Sequence, residues 1–383
     1  MILRPTLEMA QQGGLDLKLQ YLKDTIRLPH RNMIDALDRI RTSIAPFASG
    51  NLTTVVGPPG IGKTKLGEKI LEDTISLYAD EMRADPSFIP VIKLDVPPCK
   101  SKSSTFPWRD FYRAILHELM VPEADLPAQF SQRPGTSSVL GTRAPGEESA
   151  IHFAQYVAGQ ALSRRRTKVV ILDECIHFAN ALHSSQDWGN VLKSLANNKS
   201  ITFLLLGAYG TETIVRASGQ LARRTDIIHF PRYGNTPEDV KAFRSVVASV
   251  QARFPLAGAK FEHLWKDLLL GSFGITGQFI RILMTALRLL EQMNKGKDIN
   301  SCKWSDDIVY AAMPSPEEFE SISDETVKGE FCITPFLRRP AKDAMTSLRA
   351  KHKEAILFQT KLRKAASSST RAKRSNKAKA ANA

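Results

Sequence analysis

The residues that most directly suggest chemistry lie in GPPGIGKT, where Gly57, Gly62, Lys63 and Thr64 fall at the spacing G-x-x-x-x-G-K-[ST]. Glycines at these positions let consecutive backbone N–H groups close around phosphate oxygens, and a helix beginning at the lysine adds a favourable field. The cradle comprises Gly57, Pro58, Pro59, Gly60, Ile61, Gly62, Lys63, Thr64 and Lys65. Lys63 is expected to bridge the β and γ phosphates of ATP, and the Thr64 hydroxyl to ligate Mg²⁺. A second chemical element is VVILDE, in which an apolar run delivers Asp173 and Glu174. Asp173 is expected to hold Mg²⁺ through water, and Glu174 to orient and deprotonate the attacking water. Cys175 and His177 follow at once and read as packing and polar filler.

These groups work only if strands and helices bring them together. Leu52–Val56 reads as a strand entering the glycine loop, with Lys63–Leu77 continuing as a helix. Pro90–Val96, Lys168–Leu172, Ile201–Leu206 and Ile227–Phe230 read as further strands, with helices expected at Arg109–Met120, Ser149–Leu162 and Trp188–Ala196. Strands alternating with helices predict a parallel sheet covered on both faces. After Pro231 only helical patterns remain, at Glu238–Phe254, Phe261–Leu270, Thr276–Met293 and Trp304–Met313. The predicted organisation is a helical lead-in over 1–46, an α/β nucleotide-binding core over 47–233 with an insertion at 121–150, and a small all-helical lid over 234–315. An extension over 316–360 and a basic tail over 361–383 follow.

Composition narrows the class further. The chain has 383 residues, 43% hydrophobic and 24% charged, which suits a globular protein of two or three units. No apolar run reaches membrane-spanning length, no secretory signal is evident, and no membrane partner is expected. Cys99, Cys175, Cys302 and Cys332 are scattered without a C-x-x-C pair, which argues against a zinc site and fits a reducing cytoplasm. The net charge is +14, of which residues 361–383 carry +8 with no acid and no aromatic. Such a tail is expected to be disordered and to contact phosphate backbone or a partner. Trp265 and Trp188 read as core residues, and Trp108, after a basic loop, as a candidate for a subunit face.

The phosphate loop, the carboxylate pair, an apolar strand and a helical lid together resemble the AAA+ ATPases. LPHRNMIDALDRI before the loop, FPWRDFYRAILHEL after the second strand and FLLLGAYGT at the fourth resemble the transposition regulators TniB and TnsC. The resemblance covers roughly residues 25–290. It implies a homo-oligomer, a ring or helical filament assembled by ATP on double-stranded DNA without sequence preference, which links a target selector to a transposase and is disassembled on hydrolysis. It places the protein in the bacterial cytoplasm, at the nucleoid. It also implies an arginine reaching the neighbouring subunit's γ-phosphate, for which Arg223 and Arg224 stand in the family's position and Arg216 is a third candidate. The sensor strand offers only Gly207, Ala208, Tyr209 and Thr211, a departure from the usual polar side chain. The second sensing arginine falls on Gln278, with Arg281 a turn later, which implies slow hydrolysis. DNA contacts are expected from Lys100, Lys102, Ser103 and Thr105 in the basic loop, and from Arg143. Two other classes fit the same core: a signalling NTPase switch without a DNA partner, and a helicase loader or remodelling ATPase that threads a polymer.

Overall fold

The computed structural model describes residues 4–26, 29–44, 52–99, 106–121, 147–179, 191, 201–217 and 225–337. Five strands, β1 (Leu52–Val56), β2 (Val91–Asp95), β3 (Val169–Asp173), β4 (Thr202–Gly207) and β5 (Thr225–His229), form one parallel sheet in the order β2-β3-β4-β1-β5. The register pairs Val55 with Leu206 and Ile228, and Ile171 with Leu204. Helices in chain order are α1 (Leu7–Gln12), α2 (Leu15–Gln20), α3 (Arg31–Ile44), α4 (Lys63–Leu77), α5 (Ala79–Ala84), α6 (Trp108–Glu118) and α7 (Glu147–Arg164). They continue as α8 (Ile176–Ala179), α9 (Pro237–Gln251), α10 (Trp265–Gly271), α11 (Thr276–Met293), α12 (Asp306–Ala311) and α13 (Pro316–Ile333).

The strands read as continuous apolar runs because both faces are covered. On one face Val170, Leu172, Phe203 and Leu205 meet Phe111, Tyr112, Ile115 and Leu116 of α6 and Ala154, Ala158 and Leu162 of α7. On the other, the alternate residues Ile171, Leu204 and Leu206 meet Leu37 and Ile40 of α3 and Leu66 and Ile70 of α4. The period of two in the strands thus supplies two cores from one sheet. Gly67 lets α4 lie close: a Cβ there would stand 2.7 Å from Leu206 Cδ1. Trp108 packs into the first core, stacked on Tyr112 and edge-on to Phe106.

A third core lies among the helices after β5. Phe243, Val247, Phe261, Leu268, Phe279, Leu283 and Leu287 are its centre, with Trp265 half-buried at its side. Residues 4–26, which the sequence presents as a polar start, join this core rather than the sheet. Tyr21 and Leu22 sit in it, and the fully buried Lys18 ammonium donates to the carbonyls of Ala10, Gln11 and Pro255. Two further helices lack an apolar periodicity strong enough to predict: α5, with no buried residue, and α13, beyond the predicted lid. Among the described residues, no single helix is long and apolar enough to cross a membrane.

Candidate nucleotide site

Parallel strands place their carboxyl ends at one edge of the sheet, and the strand order puts β4 between β1 and β3. The loop after β1 and the carboxylates after β3 therefore flank the end of β4. Gly57 N donates to Gly207 O at 3.4 Å, and Cys175 N to Leu206 O at 2.9 Å, which locks the three strand ends together. Gly60 and Gly62 have φ of 76° and 109°, and Gly62 caps α4 in the left-handed conformation. That conformation carries little penalty only for glycine.

Lys63 reaches back over the loop and donates to Gly57 O and Pro58 O, each at 2.9 Å. Burial pushes its ammonium down to about 8, against the opposing fields of Glu174, Asp173 and Glu325. Thr64, one residue on, is exposed. Lys65 directs its ammonium to Glu68 at 3.2 Å, along the helix surface. Pro58 and Ile61 are buried, whereas Pro59 and Gly60 are exposed at the loop crest.

Asp173 is buried at the end of β3, and each of its carboxylate oxygens has one partner. One carboxylate oxygen accepts from Glu174 N at 2.9 Å, and the other lies 3.2 Å from Lys93 Nζ of β2. Lys93 was not singled out from sequence, where PVIKLDV reads only as a strand. Its pairing depends on the β2–β3 register, which a single strand does not reveal. Glu174 is exposed with φ of 55°, a conformation that costs a non-glycine residue and recurs at functional sites. It throws the Glu174 side chain clear of the strand. Cys175 is fully buried, its thiol pushed well up by burial and the neighbouring carboxylates, and donates to Leu172 O at 3.2 Å. That environment makes it inert packing.

The polar side chains just after β4 are Tyr209 and Thr211, and the buried Thr211 Oγ1 has no hydrogen-bond partner among the described residues. Thr211 is buried beneath Gly207, and Tyr209 turns its hydroxyl to His229 Nε2 at 3.0 Å. On the far side the lid touches the loop directly. Thr276 Oγ1 donates to Ile61 O at 3.1 Å, and Gly277 N donates to Gly60 O at 2.9 Å. A Cβ at Gly277 would collide with the Gly60 carbonyl, so this contact requires glycine. Gln278 stands next on the same first turn of α11, half-buried. Arg281 is largely exposed and lies 3.6 Å from Glu318 of α13. Sequence reasoning missed the Thr276–Gly277 clasp, although the T-G pair opening a helical pattern was visible.

Further ties hold the lid against the core. Asn32 Nδ2 donates to Pro231 O at 2.9 Å, Arg31 pairs with Asp239, and His30 Nδ1 lies 2.8 Å from the Tyr233 hydroxyl. Met33, Ile61, Phe230 and Ile275 line an apolar wall beside the loop. Arg223, Arg224, Lys100, Lys102, Ser103, Thr105, Arg143 and Trp188 lie outside the described residues.

The residues fit a nucleotide with Mg²⁺. The glycine cradle and Lys63 match phosphates, and the Thr64 hydroxyl and Asp173 carboxylate are oxygen donors of the kind a hard cation takes. Among the described residues no cluster of three His, Cys, Asp or Glu could hold a metal ion alone.

Comparison with known proteins agrees with this geometry. The AAA domain family matches residues 48–215. No curated protein matches the chain. Among solved structures, the ORC2 protein of Aeropyrum pernix, in ADPNP–ADP complexes, is similar at 14% identity and a TM-score of 0.51, over 77% of this chain and 71% of that one. The ORC1 protein of the same organism, in complex with DNA, follows at 15% identity and a TM-score of 0.49, over 76% of this chain and 68% of that one. The Walker-type ATPase of Pyrococcus abyssi has 12% identity and a TM-score of 0.46, over 81% and 78%. Residues 48–215 thus match the AAA domain family, and the chain has an AAA+ type fold, a parallel P-loop core followed by a helical lid.

Proposed function

We propose that this ATPase is an ATP-gated, DNA-binding assembly factor of the transposition regulator kind, in which nucleotide occupancy decides whether copies stack on a duplex. The observation that carries the gating is the clasp of Thr276 and Gly277 on the phosphate loop, because it makes the lid's seat depend on what the loop holds. Lys63 engages the β and γ phosphates, Thr64 and Asp173 hold Mg²⁺, and Glu174 takes a proton from the attacking water. Bound Mg²⁺ offsets phosphate charge. An adenine ring would meet the partly buried Met33 at the start of α3, which lies beside Gly62 with Ile61 and Ile275 buried behind it. Arg223 or Arg224 of a neighbouring copy completes the site. Double-stranded DNA is held without base reading by Lys100, Lys102, Ser103, Thr105 and Arg143, and the basic tail adds salt-sensitive affinity. The segments LPHRNMIDALDRI, FPWRDFYRAILHEL and FLLLGAYGT support the regulator assignment, with a target selector and a transposase as partners. Gln278 in place of a sensing arginine supports slow hydrolysis.

The test is to image the protein on duplex DNA with a non-hydrolysable ATP analogue and with ADP. Rings or filaments with the analogue alone are expected. Lys63→Ala is expected to abolish assembly and Glu174→Gln to preserve or harden it. A protein that stays monomeric on DNA with every nucleotide overturns the proposal, and ATP-driven loading of another ring replaces it with a loader.

A further inference from the structure

Lys93 stands at the centre of β2 and pairs in register with Ile171 of β3, as Asp95 does with Asp173. Side chains two residues apart on a strand share a face, so Lys93 and Asp173 both turn to the α4 side of the sheet, among Val91, Val169 and Leu204. The lysine stem crosses beneath α4. Gly67 opens that passage: a Cβ there would stand 3.3 Å from Lys93 Cε as well as 2.7 Å from Leu206 Cδ1. Gly67 is three residues after Thr64, one helical turn further along α4. The ammonium emerges 3.2 Å from Asp173 Oδ2 and 3.7 Å from Asp95 Oδ1. Val96 N donates to Asp173 O at 2.9 Å, which ties the ends of β2 and β3 together.

A buried ion pair is weak evidence for stability, since apolar residues of similar volume serve a core as well or better. The neighbours of Lys93 on this face are such residues. The lysine is set instead against the carboxylate that a divalent cation would share. Thr64 and Asp173 are the oxygen donors assigned to Mg²⁺, so two cations draw on one carboxylate. A fixed positive charge there balances the carboxylate when no metal is bound, and repels a metal that approaches it. Groups behind a metal ligand orient it and tune its affinity in this way.

We propose that Lys93 is a positioning residue that serves as a resident counter-ion of the metal site: it holds Asp173 in the metal-free protein and lowers the demand of the nucleotide complex for a divalent cation. This rests on the reading of Thr64 and Asp173 as the Mg²⁺ ligands.

The test titrates AMP-PNP into the full chain by calorimetry, in Mg²⁺ and in EDTA, as wild type, Lys93→Met, Lys93→Arg and the double variant Lys93→Met with Asp173→Asn. The melting temperature of each nucleotide-free protein is measured in the same two buffers. Wild type is expected to bind AMP-PNP less than about tenfold more tightly in Mg²⁺ than in EDTA, and to melt at the same temperature in both. In Lys93→Met that affinity ratio is expected to rise by about tenfold or more, and Mg²⁺ to raise the melting temperature. Lys93→Arg is expected to keep the wild-type ratio, and the double variant to lose the melting shift. A wild-type ratio above about tenfold overturns the proposal, and this arm stands even where Lys93→Met does not fold. A ratio in Lys93→Met equal to that of wild type overturns it as well. The electron paramagnetic resonance spectrum of Mn²⁺ in the AMP-PNP complex is compared between wild type and Thr64→Val. An unchanged spectrum removes the metal-ligand reading itself. A changed spectrum beside an unmoved Lys93→Met ratio removes only the role of Lys93.

Discussion

Asp173 is held by two neighbours of different origin, its own chain successor and a lysine from the adjacent strand. Lys93 and Asp173 are both largely buried, with side chains 16% and 4% exposed. Removing one partner of such a pair leaves a charge in a poor solvent, a loss of about 3 kcal/mol. Lys93→Met is therefore expected to lower the urea midpoint markedly. The double variant Lys93→Met with Asp173→Asn is expected to recover most of it, because the stranded charge is gone. A neutral single variant would show that Asp173 needs no cation beneath it. The carboxylate itself was legible, since VVILDE announces a buried strand ending in acids. Its lysine partner was not, because the pairing is set by strand register and not by sequence spacing.

At the scale of elements, α11 and the phosphate loop meet through backbone. Gly277→Ala would drive a methyl group into the Gly60 carbonyl, and overpacking of this kind costs about 1–3 kcal/mol. The expected result is nucleotide affinity lower by about tenfold with an unchanged far-UV spectrum. An unaltered affinity would separate lid seating from nucleotide binding. The strands and α4 were readable because their cause is local: β-branched runs, glycines and a lysine-threonine pair in succession. The Ser315-Pro316-Glu317-Glu318 signature that opens α13 was equally local and went unused, whereas the partners of α13 come from Phe273, Arg232 and Tyr209, distant in sequence. α1 and α2 are six residues each and too short to show a period.

At the scale of the molecule, a buried histidine, His30, and a half-buried one, His229, link the sheet, α3 and the lid. His30 Nδ1 faces the Tyr233 hydroxyl and accepts from Met33 N, so its ring is neutral with the proton on Nε2. His229 at the end of β5 pairs with Tyr209. Burial first, and then Arg31 and Arg39 respectively, pushes each down to about 4 from an ordinary 6.5. The unfolded chain therefore binds protons that the fold refuses between those values. Stability is fully present above about pH 6.5 and falls as pH drops toward 4, by up to about 3 kcal/mol per histidine. Urea unfolding from pH 7 to 4.5 is expected to show that slope, and His30→Phe to flatten it. An unchanged slope in the variant would assign the loss to carboxylates elsewhere.

The Lys18 ammonium carries a temporal consequence. It takes carbonyls from Ala10 and Gln11 nearby but also from Pro255, 237 residues downstream. On a ribosome adding about 5–20 residues per second, that last acceptor emerges roughly 12–47 s after the lysine. Throughout that interval the first two helices have their cation but not its cage, and Tyr21 and Leu22 lack the surface they will cover. Translation must therefore finish most of the lid before residues 4–26 can settle, so this segment folds later than much of the chain that follows it.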